Sequence, residues 1–81
     1  MEKTSKLFSI AFGRHLKQLR ESRQLTQEEL AFKSGTHRTY ISLVERGERN
    51  ITLDTLYRLS RALNVSAATL FLWDETTKDE K

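Results

Sequence analysis

The chain has no cysteine and no proline, and only three glycines in 81 residues. Without cysteine there is no disulfide and no thiolate metal site, and a reducing compartment is the natural setting. Without proline, and with the glycines well separated, no linker divides the chain. No apolar run approaches the roughly 20 residues of a membrane span. The opening "MEKTSKLFSIAFGRH" lacks a small-residue cleavage site, and Ser9, Gly13 and Arg14 interrupt its apolar stretch, so it does not read as a signal peptide. The two histidines, His15 and His37, are too far apart for a helical ligand pair, and His15 reads as a half-buried packing residue. Catalytic constellations are lacking too. No Ser/His/Asp set, phosphate loop or carboxylate cluster appears, and the chain does not read as an enzyme. No cofactor is implied.

What remains is a small domain with an uneven charge. The formal net charge is +3 and the pI is about 9.5. Residues 1–25 carry +4, residues 26–50 balance, residues 51–73 carry +1, and the tail "DETTKDEK" carries −2. The body, residues 1–73, is thus near +5, which favours an anionic partner. Residues 74–81 read as a short acidic tail, expected to be flexible.

Alternation of apolar and polar residues is nowhere sustained, and helical spacing dominates. Five helices can be placed. The first, from Thr4 or Ser5 to Arg23, has an apolar stripe of Phe8, Phe12, Leu16 and Leu19. The second begins at Thr26, where "TQEE" forms a capping box between Thr26 and Glu29. It buries Leu30 and Ala31 and ends at Gly35. The third takes Thr36 as N-cap, buries Ile41 and Val44, and stops at Gly47. The fourth starts near Thr52, buries Leu53, Leu56, Leu59 and Leu63, and ends at Asn64. The fifth is short, with Ser66 as cap. The expected fold is therefore an all-α, compact five-helix bundle.

Two capped helices joined at "SGT" follow the helix-turn-helix plan, in which the second helix can enter the major groove. At about 100° per residue, one side of the third helix carries Ile41 and Val44, with Glu45 beside Ile41. The opposite side carries Thr39 and Arg46, flanked by Ser42 and Leu43, with Arg38 and Tyr40 on the shoulders. Long donors, short hydroxyls and one aliphatic group suit guanine edges, phosphates and thymine methyls. The bland reading of the same residues is a solvated face.

The stretch "LTQEELAFKSGTHRTYISLVERGERNITLDTLYRLSRALNVS" closely resembles the Cro and phage-repressor type of helix-turn-helix domain, also called lambda-repressor-like. The match runs from about Phe12 to Leu72, and "TQEELA", "YIS..ERG" and "L..L.RAL.VS" fall at the family's spacings. Within that family, "HRTYISLVERGERNITLDTL" is similar to the controller proteins of restriction–modification systems. The resemblance implies a DNA-binding homodimeric transcriptional regulator, activator or repressor, in a bacterial or phage-encoded cytoplasmic setting with no membrane partner. An antitoxin-type or protein-interaction module, and a phage-type repressor, are the alternatives.

Carried over by position, the resemblance implies a recognition helix at about residues 37–46. Thr36, Arg38, Thr39, Tyr40, Ser42, Leu43 and Arg46 lie on or beside its DNA face, Tyr40 alternatively half-buried with its hydroxyl wet. Gln27 is implied to bind a phosphate or to buttress that helix. Arg49 and Asn50 are implied to contact backbone or groove edges, and Arg20 and Glu45 to form a buried ion pair. Leu43 departs from the family's small or polar residue, and Ile51 replaces its common proline. Glu28 and Glu29, beyond capping, are candidate contacts to RNA polymerase. Four consecutive large apolar residues, Leu70, Phe71, Leu72 and Trp73, exceed what a short helix can bury, which points to a dimer interface. Alternatively, Trp73 folds back onto its own domain.

Overall fold

A computed structural model describes residues 3–73, and the acidic tail 74–81 lies outside the described residues. The described residues form four α-helices, α1 (Lys3–Ser22), α2 (Gln27–Ser34), α3 (Arg38–Glu45) and α4 (Leu53–Leu63), followed by a short 3-10 helix, Ala67–Phe71. They contain no strand. The fifth expected helix is thus the 3-10 segment, capped at Ser66, whose side chain accepts from the Thr69 amide.

Each α-helix stops the same way. A residue one or two positions past its end has a left-handed backbone: Gln24, Gly35, Gly47 and Asn64. The next amide then reaches back to a carbonyl five residues earlier, Leu25 to Arg20, Thr36 to Ala31, Glu48 to Leu43 and Val65 to Ser60, at 2.9–3.2 Å. This Schellman closure satisfies carbonyls that a helix end leaves open. It also corrects one expectation. The Thr36 amide completes the α2 closure and its hydroxyl lies 3.0 Å from that of Ser34, so His37 is the N-cap of α3, without a side-chain capping bond.

The core consists of Phe12 and Leu16 from α1, Leu30 and Ala31 from α2, Ile41 and Val44 from α3, Leu59 and Leu63 from α4, and Leu70. Leu19 and Leu56, also expected inward, are partly buried and pack against this core, and two further expected residues lie outside it. Phe8 sits one turn beyond the body on the α1 stripe and is half exposed, stacked against Phe71 with ring centroids 6.4 Å apart. Leu53 is the first residue of α4, ahead of the inward positions Leu56, Leu59, Ser60 and Leu63, and is 83% exposed. Gly13 lets α1 cross α3 closely: a Cβ there would lie 2.5 Å from the Glu45 carbonyl oxygen and closer still to that of Val44.

The C-terminal apolar run divides among different tasks. Leu70 is fully buried in its own domain, which removes it from any surface available to a partner. Trp73 is half-buried against Phe8, Phe12, His15 and Phe71, with centroids 5.3–6.5 Å apart. His15 contributes to the same junction through a 2.8 Å hydrogen bond between Nε2 and the Thr69 carbonyl. Phe71 and Leu72 remain exposed.

Candidate nucleic-acid interface

The α2–turn–α3 unit is built from its caps. Thr26 accepts from the Glu29 amide at 3.0 Å, and the Thr26 amide donates to Glu29 Oε1 at 2.8 Å, so both members of the capping box are in place. Glu29 is therefore engaged locally, whereas Glu28 is exposed with no ion pair among the described residues. Gly35, at φ 72°, turns the chain so that α3 leaves across α2.

What fixes α3 in rotation is polar. Arg20, near the end of α1, and Glu45, at the end of α3, are both buried. Arg20 Nε donates to Glu45 Oε2 at 2.7 Å and Nη2 donates to Oε1 at 3.1 Å, a two-pronged pair. Arg20 Nη1 also donates to the Leu25 carbonyl at 2.8 Å. The hydrogen bond to Glu45 raises the guanidinium pKa further above its ordinary value, with burial opposing it and the charges of Glu45 and Glu21 adding to it. Gln27 completes the arrangement, its Nε2 donating to Glu45 Oε1 at 3.0 Å. In the free chain, then, the Gln27 side chain buttresses α3. One carboxylate thus gathers donors from α1 and α2 and anchors the helix that carries it.

With Ile41, Val44 and Glu45 turned inward, the other side of α3 is open. Arg38, Thr39 and Arg46 are exposed, and Ser42, Leu43, Tyr40 and Thr36 are half-buried. Arg46 is the C-cap residue. Its Nη1 donates to the Ser42 hydroxyl at 3.3 Å, and its Nη2 lies 3.5 Å from Glu48 Oε1. Glu48 places one acid beside a face that the helix itself leaves free of acids. Such an exposed pair is weak and exchanges readily for a phosphate or base partner. In the loop to α4, Arg49 and Asn50 are exposed, next to Tyr40. The expected DNA-face residues therefore converge on one side of the domain, except for Gln27, which is held behind it.

Three features escape a reading of the sequence: the His37 cap, the close approach at Gly13, and the contact between Tyr40 and Arg49. Only Gly13 carried a signal. A glycine inside an apolar helical stripe weakens the helix unless another backbone needs the space.

An all-helical body that presents the second of two short helices across a tight turn, with an open face of arginines and hydroxyls, defines a helix-turn-helix DNA-binding domain. Comparison with known proteins agrees. A helix-turn-helix family model matches residues 16–70. Control protein C.BamHI of Bacillus amyloliquefaciens is 47% identical over 57 residues, covering 69% of this chain and 70% of that protein. Control protein C.SmaI of Serratia marcescens is 52% identical over 56 residues, covering 69% and 67%. The restriction-modification controller protein C.AhdI from Aeromonas hydrophila superposes with a TM-score of 0.80 at 41% identity, covering 82% of this chain and 96% of that one. The chain belongs to the helix-turn-helix family of DNA-binding transcriptional regulators and is similar to these control proteins.

Proposed function

We propose that the protein is a controller-type regulator that binds a pseudo-palindromic operator as a homodimer. The observation that carries this reading is the division of α3: one side is locked by Ile41, Val44 and the Arg20–Glu45–Gln27 network, and the other presents Arg38, Thr39, Ser42, Leu43 and Arg46. In this reading the two arginines take guanine edges or phosphates, the hydroxyls take base edges or backbone, and Leu43 meets a thymine methyl. Thr36 flanks the same contacts from the turn. In this reading the role is that of a regulator in the cytoplasm, not of an enzyme. No helix among the described residues is long and apolar enough to cross a membrane.

Selection of bound sequences from random duplexes tests the reading directly. A symmetric enriched motif is expected, and recovery of no motif would overturn it. Arg38→Ala and Arg46→Ala should each lose on the order of 1–3 kcal/mol of cognate affinity if each makes a bidentate base contact. Titrations showing cognate binding unchanged in both variants would remove α3 from the groove.

The dimer reading rests on exposed apolar surface. Phe8, Leu53 and Phe71 line one groove of about 440 Å³ between α1, the start of α4 and the 3-10 helix, and Leu72 follows Phe71 in sequence. Exposed apolar patches of this kind mark interfaces. A two-fold dimer would present two copies of α3 about 34–36 Å apart, giving half-sites about 10 base pairs apart. Leu53→Asp with Leu72→Asp changes two exposed side chains and spares the buried Leu70. Sedimentation should show the parent as a dimer and this variant as a folded monomer. A variant that dimerises as well as the parent would move the interface elsewhere.

For contact with RNA polymerase, where the regulator activates, Glu28 is the freer of the two candidates, because Glu29 is held in the capping box. Glu28→Lys is expected to bind operator normally and to lose activation in a reporter assay. Activation that survives the change would exclude Glu28.

A further inference from the structure

The loop between α3 and α4 has no proline to stiffen it, yet it carries Arg49 to the edge of the DNA face. Arg49 has no ion pair or hydrogen bond to an acid among the described residues. Its contact is the Tyr40 ring, with the guanidinium carbon 5.5 Å from the ring centroid. Tyr40 is half-buried, packed against the core, and its hydroxyl donates to the Asn50 carbonyl at 3.4 Å. One rigid side chain of α3 therefore touches the loop at two consecutive residues.

The surroundings suit an anion. Tyr40, Arg49 and Asn50 share a shallow depression with the first turns of α3 and α4, represented by His37, Thr39, Thr52 and Thr55. No acidic side chain lines it. Two helix N-termini border it, and both favour negative charge.

We infer that Tyr40 is a positioning residue for Arg49, holding the guanidinium ready for a DNA phosphate so that binding need not order the loop. This rests on the DNA-binding reading above. A cation over an aromatic face is held by the ring quadrupole, and the guanidinium edge stays free to donate. Tyr40→Phe keeps the ring and loses only the bond to Asn50. Tyr40→Leu removes the ring.

A double-mutant cycle on duplex binding, with operator and random DNA as probes, tests the inference. Arg49→Ala should weaken both probes and lower the slope of log affinity against log salt by about one, as loss of one phosphate contact does. Tyr40→Leu should weaken both by about two- to fivefold, the scale of an exposed cation–π contact. In combination with Arg49→Ala it should cost nothing further. Tyr40→Phe should lose less affinity than Tyr40→Leu and should keep the ring shift on Arg49. In the free protein, nuclear magnetic resonance should show the Arg49 side-chain protons shifted by the ring, and the shift should vanish in Tyr40→Leu while a melting curve reports the fold intact. Additive losses in the cycle, or Arg49 protons with no ring shift, would overturn the inference. If Arg49→Ala binds like the parent while Arg38→Ala and Arg46→Ala lose affinity, this proposal fails and the functional reading stands. If none of the three variants loses affinity, the functional reading fails.

Discussion

Glu45→Ala is expected to lower the unfolding free energy by roughly 3–5 kcal/mol, the cost of removing one partner from a buried ion pair. Both side chains are over nine-tenths buried, so solvent cannot replace the missing carboxylate. The substitution leaves the Arg20 guanidinium with the Leu25 carbonyl and the exposed Glu21 carboxylate 4.0 Å away, and strips Gln27 Nε2 of its acceptor. Gln27→Ala, which removes one bond and leaves the pair intact, should cost about 1 kcal/mol. Replacing Arg20 and Glu45 together by apolar residues of similar volume should be less damaging than Glu45→Ala alone, because no buried charge is then stranded. Urea denaturation of the variants separates these outcomes. A midpoint unmoved by Glu45→Ala would mean that the carboxylate is not holding α1, α2 and α3 together.

The second large effect is expected at Gly13, and its sign is the informative part. At a roomy site inside a helix, glycine to alanine stabilises by about 1 kcal/mol. Here the added methyl would meet the backbone carbonyls of Val44 and Glu45, which cannot swing aside as a flexible side chain can. Overpacking of a tight site costs about 1–3 kcal/mol, and obstruction by backbone belongs at the top of that range. Gly13→Ala should therefore melt at a lower temperature than the parent. It should also bind operator more weakly, because relief of the clash moves α3. A melting temperature that rises would show that α1 and α3 are not pressed together at this point.

Much of this architecture was readable from local chemistry. Thr26 and Glu29 mark the start of α2, Gly35 its end, and Ser66 the last cap, because each acts on backbone within a few residues. The three-to-four spacing of Phe12 and Leu16 on α1, and of Ile41 and Val44 on α3, placed the inward faces for the same reason. What stayed hidden depends on where elements stop relative to one another. Phe8 and Leu53 continue apolar patterns past the edge of the body, and periodicity alone cannot mark that edge. Thr36 has the chemistry of an N-cap, yet the α2 closure claims its amide first and shifts the cap to His37. The Tyr40–Arg49 contact spans a loop whose path no residue pattern encodes. Among the interface residues, Leu70 was misplaced because a run of four apolar residues does not reveal which of them turns inward.

The inward locking of α3 bears on how such a regulator can change its target. The contacts that seat the helix use Ile41, Val44, Glu45, the partners of Glu45 and, at its edge, Tyr40, and none of them needs the side chain of Thr39 or Leu43. The exposed Thr39, together with the half-buried Ser42 and Leu43, is thus open to replacement while the scaffold stays in register. Mutational drift at these sites should alter the preferred nucleotide sequence with little loss of folding. A library randomised there should yield many well-folded members with divergent operators, whereas one randomised at Arg20, Gln27 and Glu45 should yield few that fold at all. In the proposed reading, evolvability of specificity follows from keeping structural obligations and readout on opposite sides of eight residues.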